Sequence, residues 1–168
     1  MTNERRLILM RHAKSAWNAQ AVTDHARPLE ARGFQDAPRI GCRLVRMGWR
    51  PDRVILSDAL RTRQTFEHLF DDETVRPEEE IEPRFYLGGI GEIRDALSEQ
   101  DDAHRTLMVL GHNPGWEEAL LWLTGVRERL TSANAALLRS TAATWKDTVL
   151  APERYVLMEI LRPKELLD

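Results

Sequence analysis

Four side chains in the sequence combine the groups that phosphate chemistry needs. They are Arg11, His12, Arg61 and His112, and each follows soon after a short aliphatic segment. A neutral imidazole can attack a phosphoryl group, and a guanidinium group can bind its oxygens. Cations beside His12 favour the neutral imidazole, because a second positive charge is disfavoured there. These residue types therefore predict a phosphoryl-binding site in which His12 is the nucleophile.

The three aliphatic segments are the elements that must bring these side chains together. They cover residues 7–10, 54–56 and 107–110, and each is as short and apolar as a buried parallel strand. In open α/β sheets, ligands bind at the carboxyl ends of such strands. We therefore expect the polar residues that follow the three segments to meet at one edge of a sheet.

The remaining apolar pattern alternates helices with strands. Helices are expected at 29–47, 59–70, 93–98 and 115–123, and further strands at 80–82, 135–139 and 155–161. Pro38 is expected to kink or restart the first helix, and Gly48 to end it. This order predicts an α/β fold, a three-layer α/β/α sandwich with a mainly parallel central sheet, formed by one domain over residues 1–168.

Composition excludes several classes of protein. A net charge of −3 gives no support for nucleic-acid binding. No segment is long enough to span a membrane, and the first apolar run is too short for a signal peptide, so we expect no membrane partner and a cytoplasmic location. The single cysteine, Cys42, cannot form an internal disulfide and is expected to fill the core on a helix.

The segment 71–82 is strongly acidic, with seven acidic residues and one arginine. We interpret it as a solvated loop, and a docking surface for a basic partner is the alternative.

Other polar residues near the first strand can also contact a phosphoryl group. Lys14, Ser15 and Asn18 follow His12 closely and can donate to phosphate oxygens. Taken singly, His12 and His112 could instead be structural histidines at strand ends, and Arg61 a surface arginine. Judged by residue type alone, a metal ion could be bound by His12, Asp24, His25 and His112. No metal-binding spacing supports such a site, however, and the arginines would repel a cation. We expect no metal and no cofactor.

Three motifs, taken in order, resemble those of the histidine phosphatase superfamily, which has a phosphoglycerate-mutase-like fold. They are Arg11-His12-Ala13-Lys14-Ser15, Ser57…Arg61-Thr62…Gln64-Thr65 and Gly111-His112-Asn113-Pro114. The small size and the segment Asp24-His25…Arg27-Pro28-Leu29…Arg32-Gly33 are most similar to the SixA-type phosphohistidine phosphatases. Ala13 stands where the family usually has glycine.

The resemblance implies roles for these residues. His12 would become phosphorylated, and Arg11, Arg61 and His112 would form the rest of the phosphate pocket. Asn18 matches a position that contacts phosphate in the mutase-like branch. Many members also have an acid that protonates the leaving group. Its candidates here are Asp24, Glu82 and Glu92, while Asn113 occupies the place of an aspartate in another branch.

The sequence thus leads us to expect a metal-independent phosphatase that works through a phosphohistidine enzyme intermediate. Its expected substrate is phosphohistidine in a protein. The alternatives are a small-molecule phosphomonoesterase or mutase, acting on a small phosphorylated metabolite, and a non-catalytic phosphate-binding module.

Overall fold

A six-stranded sheet forms the centre of the molecule in the computed structural model, which describes residues 4–17, 23–72 and 76–166. The strands are β1 Arg5–Arg11, β2 Arg53–Leu56, β3 Glu78–Ile81, β4 Thr106–Gly111, β5 Ala135–Ser140 and β6 Val156–Leu161. They lie in the order β3-β2-β4-β1-β5-β6. The first four in that order are parallel, and β5 and β6 add an antiparallel edge. The mainly parallel sheet expected from the sequence is confirmed.

Helices cover both faces of this sheet. They are α1 Ala31–Arg46, α2 Leu60–Leu69, α3 Ile90–Ser98, α4 Gly115–Thr124 and α5 Trp145–Thr148. Helices α1 and α2 pack together over one face, while α3 contacts α4 and α5 over the other. The three-layer α/β/α arrangement is therefore also as predicted.

Strand β1 shows why the buried strands have uninterrupted apolar sequences. Leu7 and Leu9 join the apolar cluster beneath α3 and α4, whereas Ile8 and Met10 join the cluster beneath α1 and α2. Neighbouring side chains on a strand point to opposite faces, so a strand covered on both faces needs apolar residues at every position. Each such side chain, when fully buried, stabilises the fold by about 1.5–3 kcal/mol.

One expectation about the first helix is wrong, and another is narrowed to one of its two alternatives. Helix α1 continues through Pro38 as one element, so the proline does not restart it, and a kink at Pro38 stays a prediction. Cys42 is exposed on this helix and does not fill the core. The apolar residues Ile40 and Leu44 occupy the buried side of the helix instead.

The acidic segment is also only in part a loop. Residues Glu78–Ile81 form β3, the edge strand of the sheet, which agrees in part with the strand expected at 80–82 and shows that the prediction of a loop is wrong there. Arg53 on the neighbouring strand forms an ion pair of 2.8 Å with Glu80 and one of 3.7 Å with Glu78. Residues 73–75 lie outside the described part of the chain. None of the described helices has the length and apolar character needed to cross a bilayer.

Candidate active site

Strands β1 and β4 place His12 and His112 beside each other. The two strands are parallel neighbours in which Arg11 pairs with Gly111. Each histidine follows its strand by one residue, and the His12 backbone N–H donates to the Gly111 carbonyl at 3.1 Å. The two imidazole ring centroids consequently lie 5.1 Å apart. The predicted meeting of the strand ends is thus present in the structure.

Gly111 is required by the packing behind these histidines. A Cβ atom at this position would lie 2.4 Å from the Trp116 ring. That ring is fully buried, and its Nε1–H donates to the Val109 carbonyl at 3.2 Å. The end of β4 therefore accepts only a residue without a side chain.

Arg61 lies beyond the end of β2, the third of the three strands. Strand β2 lies next to β4, and the Ser57 backbone N–H extends the pairing by donating to the Leu110 carbonyl at 3.2 Å. Helix α2 begins three residues later, so Arg61 lies in its first turn. The side chain is buried, and its Nε–H donates to His12 Nε2 at 3.3 Å.

The hydrogen bonds of His12 determine which of its nitrogens is nucleophilic. Its Nδ1 lies 2.7 Å from the Ala13 carbonyl oxygen, which can only accept, so Nδ1 carries the proton. The lone pair is then on Nε2, on the side of Arg61. Burial, followed by the nearby His112, Arg61 and Arg11, lowers the pKa of His12 from 6.5 to about 3. The ring is therefore neutral at physiological pH, as nucleophilic attack requires.

His112 is held by two hydroxyl groups. Its Nε2 lies 2.8 Å from Ser57 Oγ and 3.3 Å from Thr62 Oγ1. Burial, followed by the charge of Arg61, lowers its pKa from 6.5 to about 4. Its Nδ1 is buried and has no partner among the described residues.

These side chains line a cavity of 280 Å³, here named the strand-end cavity. Its wall includes Arg11, His12, Arg61 and His112. The Arg11 Nη1 donates to the Leu130 carbonyl at 3.1 Å, but its buried Nε has no partner in the described chain. Buried polar groups normally have hydrogen-bond partners, so this unpaired nitrogen is an exception within the wall of the cavity.

Asp24 is the candidate acid that the structure brings to this cavity. Its Oδ2 accepts hydrogen bonds from the Tyr86 hydroxyl at 2.6 Å and from Arg61 Nη2 at 3.2 Å, and its Oδ1 accepts one from Arg27 Nε at 2.9 Å. The bond from Tyr86, followed by those from Arg27 and Arg61, lowers the pKa of Asp24 to about 2. Asp24 is thus an ionised partner of the arginines at neutral pH.

The other two candidate acids do not line the cavity. Glu82 accepts hydrogen bonds from the Arg84 side chain at 2.9 and 3.0 Å and from its backbone N–H at 3.0 Å. These bonds lower the pKa of Glu82. Glu92 caps α3 by accepting the Gly89 N–H at 2.7 Å. Both side chains hold local backbone structure.

The three residues predicted to bind substrate have different positions. Lys14 and Ser15 both line the strand-end cavity. Ser15 Oγ accepts a hydrogen bond from Arg27 Nη1 at 3.0 Å, so it also positions that arginine. Asn18 lies outside the described residues.

Sequence reasoning missed several residues of this site. Tyr86 contacts Asp24 and packs edge-on against both His25 and His112. Trp17 lies on the cavity wall with the Arg27 guanidinium 4.0 Å from its ring centroid. Tyr86 follows a weak strand with no motif of its own, so no signal in the sequence pointed to it.

The residues considered for a metal site have other partners. His25 Nε2 lies 2.9 Å from Asp58 Oδ1, and Asp24 binds the arginines. Across residues 4–17, 23–72 and 76–166, no three His, Cys, Asp or Glu side chains cluster in a way that could hold a metal ion. Asn113 lines the cavity and donates to Glu117 Oε2 at 3.1 Å and to the Leu130 carbonyl at 2.7 Å.

Comparison with known proteins gives consistent matches. The model of the histidine phosphatase superfamily, branch 1, matches residues 7–119. An uncharacterized chloroplastic protein of Arabidopsis thaliana is 36% identical over 152 residues, which is 85% of this chain and 70% of that protein.

Two solved structures share the fold over nearly their whole length. A protein of Nakamurella multipartitia classed as the phosphohistidine phosphatase SixA has a TM-score of 0.84 and 26% identity, over 95% of this chain and 96% of that one. The protein histidine phosphatase SixA complexed with tungstate has a TM-score of 0.80 and 20% identity, over 95% of this chain and 97% of that one.

Proposed function

Because the chain belongs to the histidine phosphatase superfamily, we propose that it is a phosphatase that removes phosphoryl groups through a phosphohistidine intermediate on His12. The observation that carries this proposal is the geometry of His12. Its Nδ1–H is held by the Ala13 carbonyl, and its Nε2 lone pair lies at a buried guanidinium. A neutral imidazole that is oriented in this way needs no separate base to become nucleophilic.

In the proposed first step, the Arg61 Nε–H gives up its hydrogen bond to His12 Nε2, and the Nε2 lone pair attacks phosphorus. A P–N bond forms while the bond from phosphorus to the leaving group breaks, and the leaving group takes the electron pair. Arg61 and Arg11 stabilise the charge on the phosphoryl oxygens, and His112, which lines the same cavity, is the third group proposed to contact them. In the second step, the oxygen of a water molecule bonds to phosphorus and the P–N bond breaks. The electron pair of that bond returns to His12 Nε2, the water loses a proton to solvent, and inorganic phosphate leaves.

We propose phosphohistidine in a protein as the substrate. Asp24 is ionised at neutral pH, so it is a poor proton donor for an alkyl leaving group. A phosphoramidate leaves readily once its nitrogen is protonated and depends less on an acid of the enzyme. The similarity to SixA proteins supports the same substrate.

The test uses purified protein with phosphohistidine, an aryl phosphate and phosphoglycerates. We expect turnover of the first two and an acid-labile phosphoenzyme that His12→Ala does not form. His68→Ala is the matched control, because His68 is a half-buried histidine that does not line the strand-end cavity and whose Nδ1 lies 3.9 Å from Asp71. Residual activity of His12→Ala above roughly a hundredth of wild type would refute the nucleophile assignment.

Further outcomes separate the alternatives. A preference for phosphoglycerates would indicate a small-molecule phosphatase or mutase, and tight phosphate binding without turnover would indicate a binding module. The proposed chemistry draws its positive charge from arginines, so EDTA is expected to leave the rate unchanged. Loss of activity in EDTA that zinc restores would contradict it.

A further inference from the structure

A second cavity, of 220 Å³, adjoins the strand-end cavity, and its wall is rich in cationic side chains. We name it the basic cavity after Lys14, Arg32, Arg162 and Lys164, which outnumber its two acidic residues. The two cavities share Lys14 and Ser132 as wall residues. The basic cavity therefore lies next to the cavity that contains His12.

The arginines of the basic cavity already have partners within the protein. Arg162 donates to Asn134 Oδ1 at 2.6 Å and to the Arg129 carbonyl at 2.9 Å. Arg32 forms an ion pair of 3.5 Å with Asp36 on the next turn of α1.

The lysines of the basic cavity differ from its arginines. The ammonium groups of Lys14 and Lys164 have neither a hydrogen-bond nor an ion-pair partner in the described part of the chain. They are separated by most of the sequence, and only the fold brings them to one cavity. Two unpaired ammonium groups facing one concave surface favour an anionic ligand over a neutral one.

We propose that the basic cavity binds an acidic side chain of the protein segment whose phosphorylated residue enters the strand-end cavity. This inference rests on the proposed function. The carboxylate would bind between Lys14 and Lys164, while the phosphoryl group lies against His12. The basic cavity would thereby select phosphorylated segments that carry an acidic residue near the phosphorylated position.

The surroundings of the strand-end cavity favour a polypeptide over a small metabolite. Trp17 and Leu87 both line this cavity, yet their side chains are 78% and 84% exposed. Exposed aromatic and aliphatic side chains around a binding site are typical of surfaces that contact another protein. An extended peptide advances about 3.3 Å per residue, so one that leaves the phosphoryl site reaches the adjoining cavity within a few residues.

The test compares phosphopeptides that differ by one charge. Each peptide carries either glutamate or glutamine at one position, and this position is moved stepwise along both sides of the phosphorylated residue. We expect one or two positions at which glutamate raises kcat/KM by about two- to fivefold, the effect of one partly exposed ion pair. This gain is expected to shrink as salt is added, because salt screens such pairs.

Lys164→Glu is the informative variant, because it reverses the charge in the basic cavity on an exposed side chain. It is expected to abolish or invert the preference for glutamate and to leave the rate with a small aryl phosphate unchanged. Lys146→Glu is the matched control, since Lys146 is exposed on α5 and lines neither cavity. The control is expected to keep the wild-type preference.

Equal rates for every glutamate and glutamine pair would overturn the inference, and so would a preference that survives Lys164→Glu. A preference for bisphosphates over monophosphates without any peptide discrimination would overturn the protein assignment. A separate measurement distinguishes failure of the proposed function from failure of this inference. If phosphohistidine peptides are not turned over, the glutamate preference is measured as binding of phosphoserine peptides to His12→Ala by fluorescence anisotropy.

Discussion

Asp24→Asn is expected to leave the preference for phosphohistidine over phosphoserine unchanged. The reason is the protonation state of Asp24. Its carboxylate accepts hydrogen bonds from Tyr86, Arg27 and Arg61, and its pKa is lowered to about 2. A group must carry a proton in order to donate it to a leaving oxygen.

The size of the effect follows from this pKa. With a pKa of about 2, roughly one Asp24 carboxyl in 10⁵ is protonated at neutral pH. General acid catalysis typically contributes about 10²–10⁴-fold to a rate. Phosphoserine needs this contribution and phosphohistidine does not, so kcat/KM should favour phosphohistidine by a factor of about 10²–10⁴.

The assay measures kcat/KM at neutral pH for two peptides of one sequence, one with phosphohistidine and one with phosphoserine. Wild type, Asp24→Asn and Asp58→Asn are compared. Asp58 is the control because its carboxylate pairs with His25 at 2.9 Å and does not line the strand-end cavity. Both variants are expected to keep the wild-type ratio, although loss of the carboxylate beside Arg61 alters binding of both peptides alike.

Two results would refute this reasoning. A wild-type ratio near one would mean that a good acid acts on phosphoserine. A loss confined to phosphoserine in Asp24→Asn would identify Asp24 as that acid and move the proposed function towards a general phosphomonoesterase.

Three further perturbations test the site and its support. Arg61→Ala is expected to cost about 2–4 kcal/mol of transition-state stabilisation, and an unchanged kcat/KM with an aryl phosphate would contradict the role of Arg61. In the folded protein the pKa values of His12 and His112 are about 3 and about 4, whereas in the unfolded chain both have the ordinary value of 6.5. As the pH falls below about 6.5, the unfolded chain therefore binds protons at these histidines before the folded protein does. The free energy of unfolding should therefore fall as pH drops from about 6.5 to about 4, and a flat urea-denaturation series would contradict this. Gly111→Ala places a Cβ atom 2.4 Å from the Trp116 ring, so thermal denaturation should show a loss of about 1–3 kcal/mol, and an unchanged melting temperature would contradict this packing argument.

The central sheet, and the edge of the sheet at which a ligand is expected, could be predicted from local sequence patterns. Three short aliphatic segments favoured strands buried on both faces, and the polar residues after parallel strands of this kind lie at the same sheet edge. For this reason the sequence predicted that Arg11, His12, Arg61 and His112 lie near one another, and the structure places all four on the wall of one cavity. The exposure of Cys42 was not predicted correctly, because the face that a helix buries depends on what packs against it.

The detailed state of the site depends on contacts between distant parts of the chain. Asp24 was a candidate acid by residue type, and only the approach of Tyr86 and Arg61 makes it an ionised partner of the arginines. Similarly, Lys14 and Lys164 line one cavity only because the end of the chain returns beside the first loop. Residue type and spacing determine which groups a strand end presents. The pKa and the partners of each group are set by through-space distances, which only the tertiary structure decides.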